Sequence, residues 1–283
     1  MKKEFTQILA CPKCQHPFTV EEENLRCTGC GDTVRLVEGI PLFTDVPATI
    51  EPWEKVERGP DKGTAWRRSN WRFLNQEVKA LPQEALILDV GAGHGDFADL
   101  FEGRRYFSLD IVPYAEVDLV CDLGQTVPFL PATFDAVVLM NVLEHVYENR
   151  QLMASISKIV KPGGKVILTV PFLLKVHQAP FDFSRYTPFY LEALAKEAGF
   201  TVKTMNGYYD TLYLLNESLG NLWLYSINSA ASFNKGIAKG LVFVIQKLIN
   251  WLGRITEKGK IKPVNGEANP APVGYLVVLE KKA

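Results

Sequence analysis

Leu86-Ile87-Leu88-Asp89-Val90-Gly91-Ala92-Gly93-His94-Gly95-Asp96-Phe97 is the segment on which the fold turns. An apolar run, fit for a buried strand, ends in three glycines at alternate positions. A helix is expected to follow. Glycines there allow sharp turning and let a ligand touch the backbone. The N-terminus of a following helix offers unpaired N–H groups and partial positive charge. Asp110 lies about 20 residues further on, at the end of the next apolar run, where such folds hold a ribose diol. Dinucleotide sites want G-x-G-x-x-G. Here the spacing is G-x-G-x-G, and Asp96 stands in the place of the last glycine. A carboxylate at that point repels pyrophosphate but suits a ligand with an ammonium and no phosphate, such as S-adenosylmethionine (SAM).

Outward from this loop, strand and helix patterns alternate. Apolar runs at Ala85–Val90, Tyr106–Leu109, Val117–Cys121, Phe134–Met140, Lys165–Val170, Phe200–Met205 and Val273–Glu280 predict seven strands. Helices are expected over 64–81, 145–160 and 187–198. The first carries Trp71, Leu74, Val78 and Leu81 on one face and stops before Pro82. The last has Thr187 as N-cap and Pro188 at its first position. Lys161-Pro162-Gly163-Gly164 reads as a turn. The alternation predicts an α/β protein, Rossmann-like and doubly wound, with a mostly parallel seven-stranded sheet.

Four of the five cysteines fall in the first 30 residues, as Cys11-Pro-Lys-Cys14 and Cys27-Thr-Gly-Cys30. Two such pairs supply four thiolates to one tetrahedral, structural Zn²⁺. The fifth, Cys121, sits in an apolar run and reads as a small buried residue. The expected organisation is a zinc ribbon at 1–45, a linker and helix at 46–83, and the main domain at 84–283. A helical insertion at about 209–262 precedes the last strand. It is strongly apolar, with Leu241, Val244, Ile245, Leu248 and Leu252 at helical spacing. Lys235, Lys239, Lys247, Arg254, Lys258, Lys260 and Lys262 accompany them against Glu257. A lid packed on the sheet, peripheral membrane contact and a dimer face are all open readings.

The stretch Ile8–Cys14 through Gly39–Phe43 resembles the zinc-binding tRNA-methyltransferase-activator type of small domain, which implies folding or docking rather than chemistry. The segment Leu88–Gly95, with Leu109-Asp110, Cys121-Asp122-Leu123, Thr133–Val146 and Ile159–Val166, resembles class I SAM-dependent methyltransferases. The order and spacing cover about 84–208 and 273–281. The resemblance implies that Asp89, Gly91, Ala92, Gly93 and Gly95 hold the amino-acid end of SAM. It places Asp110 and Ile111 at the ribose, Asp122 and Leu123 at the adenine, and Asn141 near the sulfonium. Asp135 reads as a turn or cap residue.

Beyond the fifth strand, Pro171–Thr187 gathers His, Asp, Arg and Tyr at the edge where open α/β sheets bind ligands. His177 and Asp182 are candidate bases for a hydroxyl acceptor, with His145 a third. Arg185 is a candidate for holding an anionic acceptor group and Tyr186 for walling the pocket. An internal Asp182–Arg185 clasp with Tyr186 packed is the competing reading.

Hydrophobic residues make up 47% of the chain and charged residues 22%, with a formal net charge of −1. That excludes a mostly disordered chain and a global attraction to nucleic acid. No apolar run is long enough to predict a transmembrane helix, and Met1–Phe5 lacks a secretory core. The cytoplasm is the expected location, with peripheral membrane contact through the insertion. The reading is a SAM-dependent methyltransferase acting on a small, lipid-linked or glycan-related acceptor, on oxygen. One rival is an rRNA or tRNA methyltransferase whose ribbon holds RNA, weakened by Glu21-Glu22-Glu23 between the cysteine pairs. Another is a non-catalytic SAM-fold partner module.

Overall fold

The computed structural model describes residues 5–45, 57–223, 235–256, 260–264 and 272–282. The expected linker over 46–56, together with Leu224, Glu257, Lys258 and residues 265–271, lies outside the described residues. The N-terminal segment is a four-stranded antiparallel sheet: β1 (Phe18–Glu21), β2 (Asn24–Cys27), β3 (Thr33–Val37) and β4 (Ile40–Pro41). Glu38 and Gly39, both at positive φ, make the tight turn between β3 and β4.

Helix α1 (Ala65–Lys79) starts where the Thr64 hydroxyl accepts the Arg67 N–H at 3.1 Å, and it stops short of Pro82. Its inner face is Trp66, Asn70, Phe73, Leu74 and Val78. Trp71, expected on that face, sits at its margin and donates its indole N–H to Asp99 at 3.0 Å. The main strands follow: β5 (Leu86–Val90), β6 (Arg105–Asp110), β7 (Leu119–Val120), β8 (Phe134–Met140), β9 (Val160–Pro171), β10 (Phe200–Tyr208), β11 (Ile261–Pro263) and β12 (Gly274–Lys281). Helices α2 (Asn149–Ile159), α3 (Pro188–Glu197), α4 (Thr211–Leu222) and α5 (Lys235–Ile255) complete the set.

The sheet order is β11-β10-β12-β9-β8-β5-β6-β7. It is a Rossmann-like α/β sheet in which β12 and β11 run against the rest. Two expectations need correction here. The sheet has eight strands, because Ile261–Pro263, at the expected end of the helical insertion, pairs with β10. Lys161–Gly164 is not a turn between elements but a bulge within β9, with Gly163 at φ +73° and the register to β8 shifting there. Asp135 braces this bulge, accepting from Lys161 Nζ at 2.7 Å and from the Leu86 N–H at 2.8 Å.

Each sheet face carries its own core. Trp66, Phe73, Leu74, Phe97, Phe101 and Tyr208 cover one face. On the other, α2 and α3 residues join Phe107, Phe129 and Phe134, and the cluster runs without a break into Phe5, Leu9, Phe18, Leu25 and Val34 of the N-terminal segment. That segment is also stitched to the β7 edge. The Phe43 N–H donates to Val120 O at 2.9 Å, Ala10 N–H to Pro128 O at 3.0 Å, and Leu130 N–H to Ile8 O at 3.0 Å.

The insertion is a helical hairpin, α4 on α5. Its two ends are tied together where Lys260 Nζ meets the buried Asp210 carboxylate at 2.8 Å. Tyr213 and Leu214 of α4 pack onto the core. The broad apolar face of α5 does not lie on the sheet as a lid: Ile237, Leu241, Val244, Leu248, Trp251 and Ile255 are exposed. Among the described residues no helix is long and apolar enough to cross a membrane.

Candidate functional site

At the carboxyl end of β5 the chain turns through Gly91, Gly93 and Gly95 at φ +72°, +53° and +68°. These are left-handed conformations that strain residues bearing a Cβ. The Gly91 and Ala92 N–H groups both donate to Leu109 O, which fixes the loop to the end of β6. No α-helix follows. Residues Ala98–Phe101 form only a four-residue 3₁₀ turn before β6 begins at Arg105. The expected helix dipole is therefore missing, because the chain between β5 and β6 is too short to house one. What remains is a nest of backbone turns.

Carboxylates surround this nest. Asp110 accepts the Gly93 N–H at 2.9 Å through one oxygen and the Val112 N–H at 3.0 Å through the other. Asp89 is buried and accepts the Tyr106 hydroxyl at 3.0 Å. Burial pushes Asp89 up to about 7, helped by the charges of Asp110 and Asp96. Burial also raises Asp110 and Asp96 above the ordinary carboxylate range. Crowded acids of this kind gain from a cation placed among them. A Cβ on Gly93 would meet nothing within 4 Å, so open space lies over the middle of the loop. Arg58 crosses the loop and donates to His94 O at 3.0 Å, while Arg67 donates to Asp96 O at 2.6 Å. Neither arginine stands out in the sequence pattern.

The remaining cofactor candidates are placed as follows. Ile111 is exposed just past Asp110, Ala92 is buried within the loop, and Leu123 is buried in the larger core. Asp122 caps its own turn, accepting from the Gly124 N–H at 2.8 Å and from Gln125 Nε2 at 2.7 Å. Its own N–H donates to Thr44 Oγ1 at 2.9 Å, a contact from the N-terminal segment. Asn141 ends β8 at φ +58° and accepts the Trp66 indole N–H at 2.9 Å.

The acceptor-side candidates converge near the same sheet edge. Asp182, 1% exposed, is gripped by Arg185 through two bonds of 2.5 and 2.8 Å. That guanidinium holds the Asp182 carboxyl down at about 2. Arg185 also donates to Leu174 O and Lys175 O. Its fork is thus committed inside the loop rather than turned to an anionic acceptor. Tyr186 is buried, with its hydroxyl donating to Leu143 O at 2.6 Å. Asp182 also accepts the His177 N–H at 2.8 Å and lies 3.2 Å from His177 Nδ1. The His145 ring meets the His177 ring edge-on at 4.9 Å, and its Nδ1 donates to Phe181 O at 2.7 Å. Beside them Glu144 is wholly buried, and burial raises its carboxyl to about 8. Burial lowers His145 to about 4. Glu144 was not among the sequence candidates. Its signal was its place beside His145, at the start of an expected helix.

Cys11, Cys14, Cys27 and Cys30 bring their sulfurs within 4.8 Å of one another. Cys14 and Cys27 lie 3.3 Å apart, and the Gly29 N–H donates to Cys27 Sγ at 3.4 Å. Four converging sulfurs with N–H support form a donor set suited to a tetrahedral soft cation.

Residues 64–204 match a family model described as a methyltransferase domain, a match that excludes the cysteine-bearing segment. The tRNA (carboxymethyluridine(34)-5-O)-methyltransferase of Arabidopsis thaliana is 30% identical over 115 residues, 37% of this chain and 28% of that protein. The ubiquinone biosynthesis O-methyltransferase of Chromobacterium violaceum is 27% identical over 154 residues, 43% of this chain and 66% of that protein. A SAM-dependent methyltransferase from Archaeoglobus fulgidus, solved by crystallography, is 17% identical with a TM-score of 0.48, covering 76% of this chain and 94% of that one. The chain thus spans 28% and 66% of the length of these two curated relatives.

Proposed function

We propose, from the methyltransferase domain at residues 64–204, that this protein transfers a methyl group from SAM to an oxygen of a small, lipid-linked or glycan-related acceptor. The observation that carries the reading is the glycine nest ringed by Asp89, Asp96 and Asp110, with open space over Gly93. SAM brings a sulfonium and an ammonium, and the crowded carboxylates suit both. SAM supplies the activated methyl group when bound. Asp110 has lone pairs left for a ribose diol after its two backbone bonds. Asp89 would be the acid for the ammonium. Asn141, fixed by Trp66, would lie toward the methyl-bearing end.

Methyl transfer asks the protein for alignment and exclusion of water more than covalent help. A hydroxyl acceptor must also lose a proton. Asp182, held ionised by Arg185, is a poor base and instead orients His177. His177 and His145 are the nitrogen bases at this end of the sheet, and His177 is the more exposed of the two. The relatives named for ubiquinone biosynthesis and for a tRNA uridine are both named O-methyltransferases, which supports oxygen and leaves the acceptor class open. The four cysteines would hold a structural zinc ion. The exposed apolar face of α5, with Lys239, Lys247 and Arg254 also exposed, would bring the enzyme to an anionic membrane surface and so to a lipid-linked acceptor. RNA is the second reading, favoured only by the tRNA-modifying relative.

Calorimetric titration of SAM and of its demethylated product into the full chain tests the cofactor. Micromolar binding of both is expected, and absence of binding by folded protein overturns the reading. Labelled SAM offered with lipid, glycan and RNA extracts then separates the acceptor classes.

A further inference from the structure

We propose that Glu144, His145 and His177 form a second metal site, for a first-row divalent cation, separate from the four cysteines. One ligand atom from each of the three residues lies within 4.8 Å of the other two. Ligands about 2.1 Å from a shared ion sit about 3 to 4 Å apart. Glu144 Oε1 and His145 Nε2 are already 3.7 Å apart. His177, the most exposed of the three, brings its ligand atom within 4.8 Å of the other two.

The second argument is hydrogen-bond accounting. Buried polar atoms in native proteins nearly always have a partner. Both carboxylate oxygens of Glu144 and Nε2 of His145 are buried with none. Three such atoms converge at one point: two carboxylate oxygens and a ring nitrogen, the donor types of a borderline cation.

The rings are also set as metal ligands are set. His145 Nδ1 donates to Phe181 O at 2.7 Å, which puts the proton on Nδ1 and leaves a lone pair on Nε2. His177 Nδ1 is turned to Lys175 O and the Asp182 carboxylate, both at 3.2 Å. That also leaves Nε2 as the coordinating atom. A carboxylate or carbonyl behind each imidazole is the usual outer support of a metal-bound histidine.

Charge points the same way. Two carboxylates, Glu144 and Asp182, face one guanidinium, and Arg185 is committed to Asp182 by two bonds. An ionised Glu144 would therefore have no counter-charge bonded to it, and a divalent cation would supply one while displacing the proton that burial favours. Two imidazoles and one carboxylate favour Mn²⁺, Fe²⁺, Co²⁺ or Zn²⁺ over Mg²⁺ or Ca²⁺, which prefer oxygen. At the acceptor edge of the sheet, such a cation would bind an acceptor oxygen and favour its deprotonated form.

The test uses the full chain loaded with one equivalent of zinc, which the four thiolates take first, and freed of excess zinc, with Mn²⁺ as probe because thiolates hold it weakly. Loss of the free Mn²⁺ paramagnetic signal should report one bound ion per chain. Glu144→Gln, near in shape, and His177→Ala, on the exposed loop, should each weaken binding at least tenfold. Co²⁺ as a second probe should give an absorption spectrum without thiolate charge transfer. No second ion with either probe, or binding that neither variant alters, overturns the proposal. SAM titration of the same samples keeps the two readings apart, since a lost metal with intact SAM binding fails only this one.

Discussion

Trp66 Nε1 donates to Asn141 Oδ1 at 2.9 Å, joining the first turn of α1 to the end of β8. Asn141 is in the left-handed region, which asparagine tolerates better than most residues. The Trp66 ring fills the space beside Gly274, where any Cβ would lie 2.5 Å from it. Trp66→Phe removes the donor and keeps most of the packing. The Asn141 side chain then keeps a 3.5 Å contact from Thr169 Oγ1, while its backbone N–H still donates to Thr169 O at 3.0 Å. Loss of one such bond is worth about 1 kcal/mol, or about fivefold in affinity. SAM titration should show a several-fold weaker complex with a fall of only a few degrees in Tm. Unchanged affinity would remove Asn141 from the cofactor site.

Two loop glycines should respond differently to alanine. A Cβ at Gly91 would lie 2.6 Å from Val142 Cγ2, on top of the strain of φ +72°. At Gly93 it would meet no protein atom within 4 Å, so only the left-handed backbone penalty of about 1–2 kcal/mol applies. Gly93→Ala should therefore fold and lose SAM binding at least tenfold, while Gly91→Ala should mainly lose stability. Thermal melts beside titrations separate the two. Full SAM affinity in Gly93→Ala would show that the open space is not the ligand's.

Asp89 makes stability depend on pH. Its pKa rises from 3.8 to about 7 on folding. Between those values the native state keeps a proton that the unfolded chain has lost, so stability falls as pH climbs. The full penalty, about 4 kcal/mol, is present above pH 7. Asp89→Asn is neutral throughout and can still accept the Tyr106 hydroxyl. Its Tm should rise above that of the parent at pH 8 and match it near pH 4, while SAM binding weakens. Equal Tm differences at both pH values would refute the linkage.

The parts of this molecule set by local pattern were legible before any coordinates. The β5 strand, its three glycines, the Thr187 cap and the cysteine pairs all depend on neighbours close in the chain. What the sequence hid depends on distance or on length. The helix expected after Gly95 fails because so few residues separate Gly95 from β6, a geometric limit that composition does not display. Glu144 looked like an ordinary helix-start acid until the loop carrying His177 folded over it. The second strand pairing of β10, through Ile261, joins segments with a long insertion between them. Arg185 carried two readings in sequence, and only the coordinates show both Asp182 oxygens in its grip.

The N-terminal segment and the main domain should unfold together, and the cysteine site should reach the cofactor site. Phe5 stacks on Phe107 at 4.7 Å, and the segment's buried residues share one cluster with the sheet. Leu42 bridges to Val120, and Thr44 fixes the Asp122 N–H at 2.9 Å. A tightly bound zinc ion among the four cysteines would hold β1–β4 in the shape that makes these contacts. Stripping it with a chelator under reducing conditions should lower a single Tm by about 3 °C or more, as follows from a loss on the order of 2 kcal/mol in a chain of this size. SAM affinity should fall with it, because the Asp122 turn loses its anchor. Cys14→Ser should reproduce both effects without chelator. A chelator-insensitive Tm would show that the sulfurs hold no structural ion. A separate low-temperature transition that leaves SAM binding intact would show that the segment folds and fails alone.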